Sequence, residues 1–342
     1  MQQAGDLSAI PPATDLIRLQ ADEKPLFWVT IDTEEDFDWA APFSRTGFRL
    51  DSVPALAECQ RFFGAAGVRP IYLVDWPIVQ DQRAVDILGP AQQTGACDIG
   101  AQLHPWVNPP HDEEVNAHNS YTGNLPLALQ RAKLTALRDA IAGRFSVAPT
   151  VYRAGRYGLG AQTARLLAEL GFRCDTSVRS GFDYRSGHGP DFRQAPLHPW
   201  WTVTDAGPIL EMPVTTLFSG LLGDKGARFY HRLERSGFTV GAALLARLGL
   251  VERIALTPEG IPAERACRAI DIAIDHALPV LNFSFHSPSL QPGNTPYVRS
   301  AADLTLFYRW WDVVLDHLAR RGVAATSAAA IIASASEKAR AL

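Results

Sequence analysis

Short runs of apolar and β-branched residues alternate along this chain with longer stretches whose apolar positions recur every three or four residues. The short runs predict strands at 25–31 (PLFWVTI), 68–74 (VRPIYLV), 98–103 (DIGAQL), 149–152, 173–177, 209–214, 279–285 (PVLNFSF) and 323–327. Helices are predicted at 54–66, ended by Gly67, at 126–145, with Pro at its first turn, and at 161–170, 261–277 and 304–318. Strand and helix alternate throughout, which predicts a parallel sheet with helical crossovers. The Gly155–Gly158–Gly160 run is ordered wrongly for a dinucleotide site, and there is no GxxxxGK[ST] or GxSxG. The expected class is therefore α/β: a distorted (β/α)7-type barrel in one domain. Residues 1–23 read as a lead-in, 24–330 as the barrel and 331–342 as a tail. The glycine-punctuated stretch 216–260 reads as an insertion or lid.

Composition narrows the function. Thirty-two Lys and Arg against 36 Asp and Glu give a net charge of −4, without the clustered cations that nucleic-acid binding needs. No apolar run approaches the roughly 18 residues of a membrane span. The first residues lack the basic-then-apolar order of a secretory signal, so a cytoplasmic location is expected. Cys59, Cys97, Cys174 and Cys267 are too widely spaced for a zinc knuckle or a disulfide framework.

In a (β/α) barrel, reactive groups collect where strands end. The first strand runs into IDTEEDFDW, the third into Gln102-Leu103-His104-Pro105-Trp106, and the one near 150 into Arg153. The next runs into Asp175, and the 279–285 strand into His286. The acidic run repels itself unless a cation or an arginine neutralises it. In extended chain Asp32 and Glu34 project to one side and Glu35 to the other, so Asp32 and Glu34 form the natural pair, as general base and metal carboxylate. His286 suits general-acid work near neutral pH. Arg153 is placed to hold a carboxylate ionised, and Asp175 either orients His286 or pairs with an arginine. His198, Trp200 and Trp201 (HPWW) read as packing, with a sugar-binding wall as the alternative.

Taken in order, VTIDTEEDFDW, DIGAQLHPW, YRAGRYG, CDTSV and FSFHSPSL resemble the five motifs of the polysaccharide deacetylase superfamily, the NodB-homology or carbohydrate esterase family 4 group. The resemblance implies metal-assisted hydrolysis of an acetamide or ester, with Asp32 as base, Arg153 holding it, and His286 as acid. It also implies a divalent metal, zinc or a similar cation, and a small-molecule or glycan substrate. The chain departs from the pattern in its metal set. Thr33 follows Asp32 where an acid is usual, Gln102 stands at the first histidine position, and Trp106 stands four residues on. Glu34, His104 and Gln102 are then the available ligands, a set that binds less tightly or prefers a harder cation. The leading expectation is a hydrolase of C–N bonds that deacetylates an N-acetylated sugar or glycan precursor. The alternative is a catalytically silent barrel that binds a glycan or a partner.

Overall fold

The computed structural model describes residues 5–18, 23–223, 226, 227, 230–232, 245 and 247–340, the side chains of 337–340 excepted. Much of the 216–260 stretch expected as an insertion or lid lies outside the described residues. Its ends form an antiparallel pair, β8 (Thr216–Ser219) with β9 (Glu252–Ala255).

The main sheet runs β10-β1-β2-β3-β4-β5-β7-β6, with β11 (Ala324–Ala325) also beside β1. Its strands are β1 (Leu26–Thr33), β2 (Ile71–Val74), β3 (Asp98–Leu103), β4 (Val151–Ala154), β5 (Cys174–Asp175), β6 (Trp200–Thr204), β7 (Gly207–Glu211) and β10 (Val280–His286). Every pairing is parallel except β6 with β7. Irregular chain closes the remaining side. Val214 N–H donates to Val178 O, Thr215 N–H to Asn282 O, and Ser284 N–H to Leu256 O. The expected distorted barrel is thus found.

The period-two alternation of each strand sorts its side chains between two environments. On β1, Phe27, Val29 and Ile31 join the core beneath the surrounding helices, while Trp28, Thr30 and Asp32 face inward. On β10, Leu281, Phe283 and Phe285 face the helices; Asn282, Ser284 and His286 face inward. On β4, Tyr152 and Ala154 face out and Val151 and Arg153 face in. The inward positions form layers. At the base, Trp28, Ile71, Leu73, Val151 and Leu210 make an apolar floor, against which the helix Ala328–Arg340 packs Ile331, Ile332 and Ala335. The boundary at 331 thus falls inside a helix whose apolar face closes the barrel bottom. Above the floor comes a layer of hydroxyls, one amide and one guanidinium. At the top, where the strands end, stand acids and imidazoles.

Helices Leu56–Ala65, Leu127–Phe145, Thr163–Glu169, Ala263–Asp275 and Ala301–Arg321 occupy the predicted positions within a few residues. Trp76–Gln80 and Gln82–Gln93 were not expected. They start on Asp75 and Asp81, whose side chains accept from backbone N–H groups of the first turn. Among the described residues, no helix is long and apolar enough to cross a membrane. All four cysteines are free thiols.

Candidate active site

A cavity of about 430 Å³ opens at the carboxyl ends of the strands. Asp32, Glu34, Gln102, His104, Arg153 and His286 all line it. Two register pairings explain the convergence: Asp32 lies directly across from His286 on neighbouring parallel strands, and Gln102 across from Arg153.

Arg153 is buried and spends all five of its N–H donors. Nη1 donates to Asp32 Oδ1 and to Ser284 Oγ (2.8 Å). Nη2 donates to Thr30 Oγ1 (2.8 Å) and Thr176 Oγ1 (3.2 Å), and Nε to the Thr176 carbonyl (3.0 Å). The guanidinium is thereby fixed in the hydroxyl layer with one charge-assisted contact directed up at Asp32.

His286 stands with Nε2 3.8 Å from Asp32 Oδ2. Its Nδ1 lies 2.7 Å from Glu259 Oε2, and its backbone N–H donates to Glu259 Oε1 (3.1 Å). Ser289 Oγ also donates to Glu259 Oε1 (2.5 Å). Burial works to lower the His286 pKa, but the carboxylates of Glu259, Glu34 and Asp32 outweigh it and raise it to about 10. Burial works to raise the Glu259 pKa, and the imidazolium with these hydrogen bonds brings it below the usual value. At neutral pH the pair is therefore an imidazolium held by a carboxylate.

Glu259 was not anticipated, although Pro258-Glu259-Gly260 lies shortly after β9 (Glu252–Ala255). Asp175 does not contact His286 and does not line the cavity. At β5 (Cys174–Asp175) Cys174 and the following Thr176 face inward, so Asp175 points the other way. There it accepts from Ser177 N–H (2.9 Å) and Ser177 Oγ (2.8 Å), beside Glu211 of β7. Burial raises both of these carboxyls, and their proximity to each other adds to the rise at Glu211.

A second buried network sits behind His104. Its Nδ1 lies 2.9 Å from Glu35 Oε2, and Trp106 Nε1 donates to Glu35 Oε1 (2.8 Å). Asp75 caps its helix through Oδ1 and accepts the Glu35 N–H through Oδ2 (3.0 Å). Burial raises Glu35 and raises Asp75 well above the ordinary carboxyl value. A carboxylate at Glu35 fixes the proton of His104 on Nδ1 and leaves Nε2 as a lone-pair donor. Nε2 faces Glu34 Oε2 at 3.5 Å and Gln102 Nε2 at 3.4 Å. Gln102 Nε2 donates to Glu34 Oε2 (3.0 Å). Burial, the main cause, pushes Glu34 up to about 8.

The leftover polar atoms test whether a cation fits. Glu34 Oε1 and Gln102 Oε1 are buried with no hydrogen-bond partner among the described residues. With His104 Nε2 they make two oxygens and one imidazole at one side of the cavity, a donor set that fits a divalent cation. Donor atoms of Asp32, Glu34 and His286 also lie within 4.8 Å of one another, as do those of Glu35, Asp75 and His104.

Aromatic rings wall the cavity. Trp39 meets His286 edge-on (5.1 Å between centres) and Trp106 stacks on His104 (4.4 Å). Trp200 and Trp201 do not take part. Trp200 is buried with Nε1 on Thr202 Oγ1, and Trp201 Nε1 donates to Ala335 O.

Solved structures share this barrel fold. A putative polysaccharide deacetylase from Mycobacterium smegmatis matches over 96% of this chain and 96% of its own, at 15% identity and a TM-score of 0.53. The Puue allantoinase matches over 90% of this chain and 88% of its own, at 14% identity and a TM-score of 0.50. A 4-alpha-glucanotransferase from Thermococcus litoralis matches 91% of this chain but 40% of its own length, at 10% identity and a TM-score of 0.53. At these identities the likeness is one of fold. No family model and no curated protein matches the sequence.

Proposed function

We propose that this chain hydrolyses the amide bond of an N-acetylated sugar or glycan precursor. The observation that carries the reading is the Asp32–His286 pair, set side by side at neighbouring strand ends, each held by its own buried counter-charge, Arg153 and Glu259. A base and an acid with opposite charges, facing one cavity, are what amide hydrolysis needs.

Asp32 takes the proton of the attacking water as its oxygen bonds to the acyl carbon. His286 delivers its Nε2 proton to the nitrogen as the C–N bond breaks, so the amine leaves neutral and acetic acid remains, which gives its proton to solvent as acetate while the proton on Asp32 returns to His286. Arg153 pairs with Asp32 and orients it for its step. Glu259 does the same for His286, and Glu35 fixes the tautomer of His104. Glu34, Gln102 and His104 would hold a divalent cation, zinc or a harder ion, which supplies Lewis-acid polarisation of the carbonyl and charge stabilisation of the oxyanion.

The test is acetate release from N-acetylated chito-oligosaccharides and from an acetyl ester reporter, after reconstitution with zinc, cobalt or manganese. Asp32→Asn is expected to lose about 10²–10⁴-fold in kcat/KM with the fold intact. Metal content by mass spectrometry, alongside His104→Ala, tests the cation: near one equivalent is expected, lost in the variant. No acetate from any substrate under any metal would remove the hydrolase reading in favour of a barrel that binds without turnover.

A further inference from the structure

The cavity holds three arginines, and they are used differently. Arg153 has no donor to spare. Arg179 spends one: Nη1 donates to Tyr184 Oη (3.2 Å), while its buried Nε has no partner among the described residues. Its guanidinium carbon lies over the rings of Phe182 (3.9 Å) and Tyr157 (5.1 Å). Arg156 is gripped between Tyr121 (4.1 Å) and Phe43 (4.8 Å), with Nη1 on Ser120 Oγ. Neither forms an ion pair among the described residues. Rings hold such cations in place while leaving their edge donors free.

The charge balance sharpens this. Asp32 is answered by Arg153 and Glu259 by His286. Glu34 is engaged with Gln102 and His104. The remaining acid among the lining residues, Asp38, is exposed at the rim. Two guanidiniums are thus left over inside a cavity whose other charges are matched. The backbone adds an independent sign: Arg156 and Tyr157 both have positive φ (56° and 60°), a costly conformation for two successive side-chain-bearing residues. It sets Arg156 and the ring of Tyr157 on the cavity wall. Tyr157 also lies against Arg153 (5.9 Å), so Arg179 sits one ring away from the Arg153–Asp32 pair.

We propose that the cavity takes an acidic substrate, an N-acylated sugar or similar amide carrying a carboxylate or phosphate that pairs with Arg179, with Arg156 at the outer end of the same anion site. This rests on the hydrolase reading for the amide and on the arginines for the acid. The test separates the two. Affinities of the full-length protein for N-acetylmuramic acid, N-acetylglucosamine 1-phosphate and N-acetylglucosamine are measured by calorimetry, which needs no turnover. At least one acidic sugar is expected to bind about tenfold or more tightly than the neutral one, and the better of the two tells carboxylate from phosphate. In Arg179→Gln the ratio collapses towards one, while Arg179→Lys keeps part of it. Should Arg179→Gln fail to fold, Arg156→Gln and the salt dependence of acidic binding give the same answer. Equal affinity for acidic and neutral sugars, or a preference that survives loss of both arginines, overturns the anion site. A preference for acids without acetate release keeps the anion site and removes the hydrolase.

Discussion

Replacing Glu259 by Gln removes one charge and keeps the shape, and it tests the acid directly. The carboxylate touches His286 twice, at the ring Nδ1 (2.7 Å) and the backbone N–H, and its charge is the largest influence raising the imidazole to about 10. Without it, only Glu34 and Asp32 still raise the imidazole while burial opposes the imidazolium, so the pKa moves down from about 10 towards the ordinary 6.5. A group of pKa 6.5 is about 3% protonated at pH 8, so a full return would lower kcat/KM there by roughly 30-fold, the upper limit of the expected loss, while at pH 5.5 the loss is within about twofold. The sign follows from the direction of the shift. A raised pKa means that the native protein keeps its acid up to pH 10, and that the associated stability, full below pH 6.5, fades as pH climbs towards 10. The assay is kcat/KM from pH 5 to 10.5 for both proteins, with the imidazole followed by ¹⁵N NMR so that the result does not hang on turnover. An alkaline limb in the same place in both proteins, or a His286 that still titrates above 9 in the variant, would refute the reasoning.

Arg153→Met leaves Asp32 buried without its counter-charge and removes four other hydrogen bonds; a loss of about 3–5 kcal/mol is expected from chemical denaturation. Gly155→Ala places a methyl group against the His104 ring and 2.6 Å from the Leu103 carbonyl, so it should cost about 1–3 kcal/mol in thermal unfolding and displace His104; an unchanged melting curve would count against the packing. Gln102→His adds an imidazole to the Glu34–His104 side of the cavity, and retained zinc after dialysis should rise at least tenfold, by mass spectrometry; equal retention would argue against a cation there. Adding a chelator should abolish acetate release, and divalent metal should restore it.

What the sequence discloses depends on whether the signal is local. Apolar runs that break into Asp32, Gln102, Arg153 and His286 are visible because strand parity and strand ending coincide in a few consecutive residues. Parity also explains the miss at Asp175. β5 is two residues long, too short for alternation to be read, and the inward residue is its neighbour Thr176. Glu259 escapes because β9 (ERIA) carries two half-buried charged residues, and the stretch before it has no sustained period. The helix Gln82–Gln93 is masked by Gly89 and Pro90, and Ala328–Arg340 by its small residues, whose apolar stripe makes sense only against the barrel floor. The Glu35–Asp75–His104 network joins residues from three separate segments, and no spacing rule links them.

The closure of β1 against β10 carries a consequence for how the protein is made. Thr30 and Phe283, hydrogen-bonded across that seam, are 253 residues apart in sequence. A ribosome therefore releases the acidic strand long before it releases the imidazole opposite, and contacts of such sequence separation form late. Until then the base has no acid beside it. A nascent or truncated chain carries half of the proposed reaction centre, so on that proposal chemistry begins only once the seam has closed.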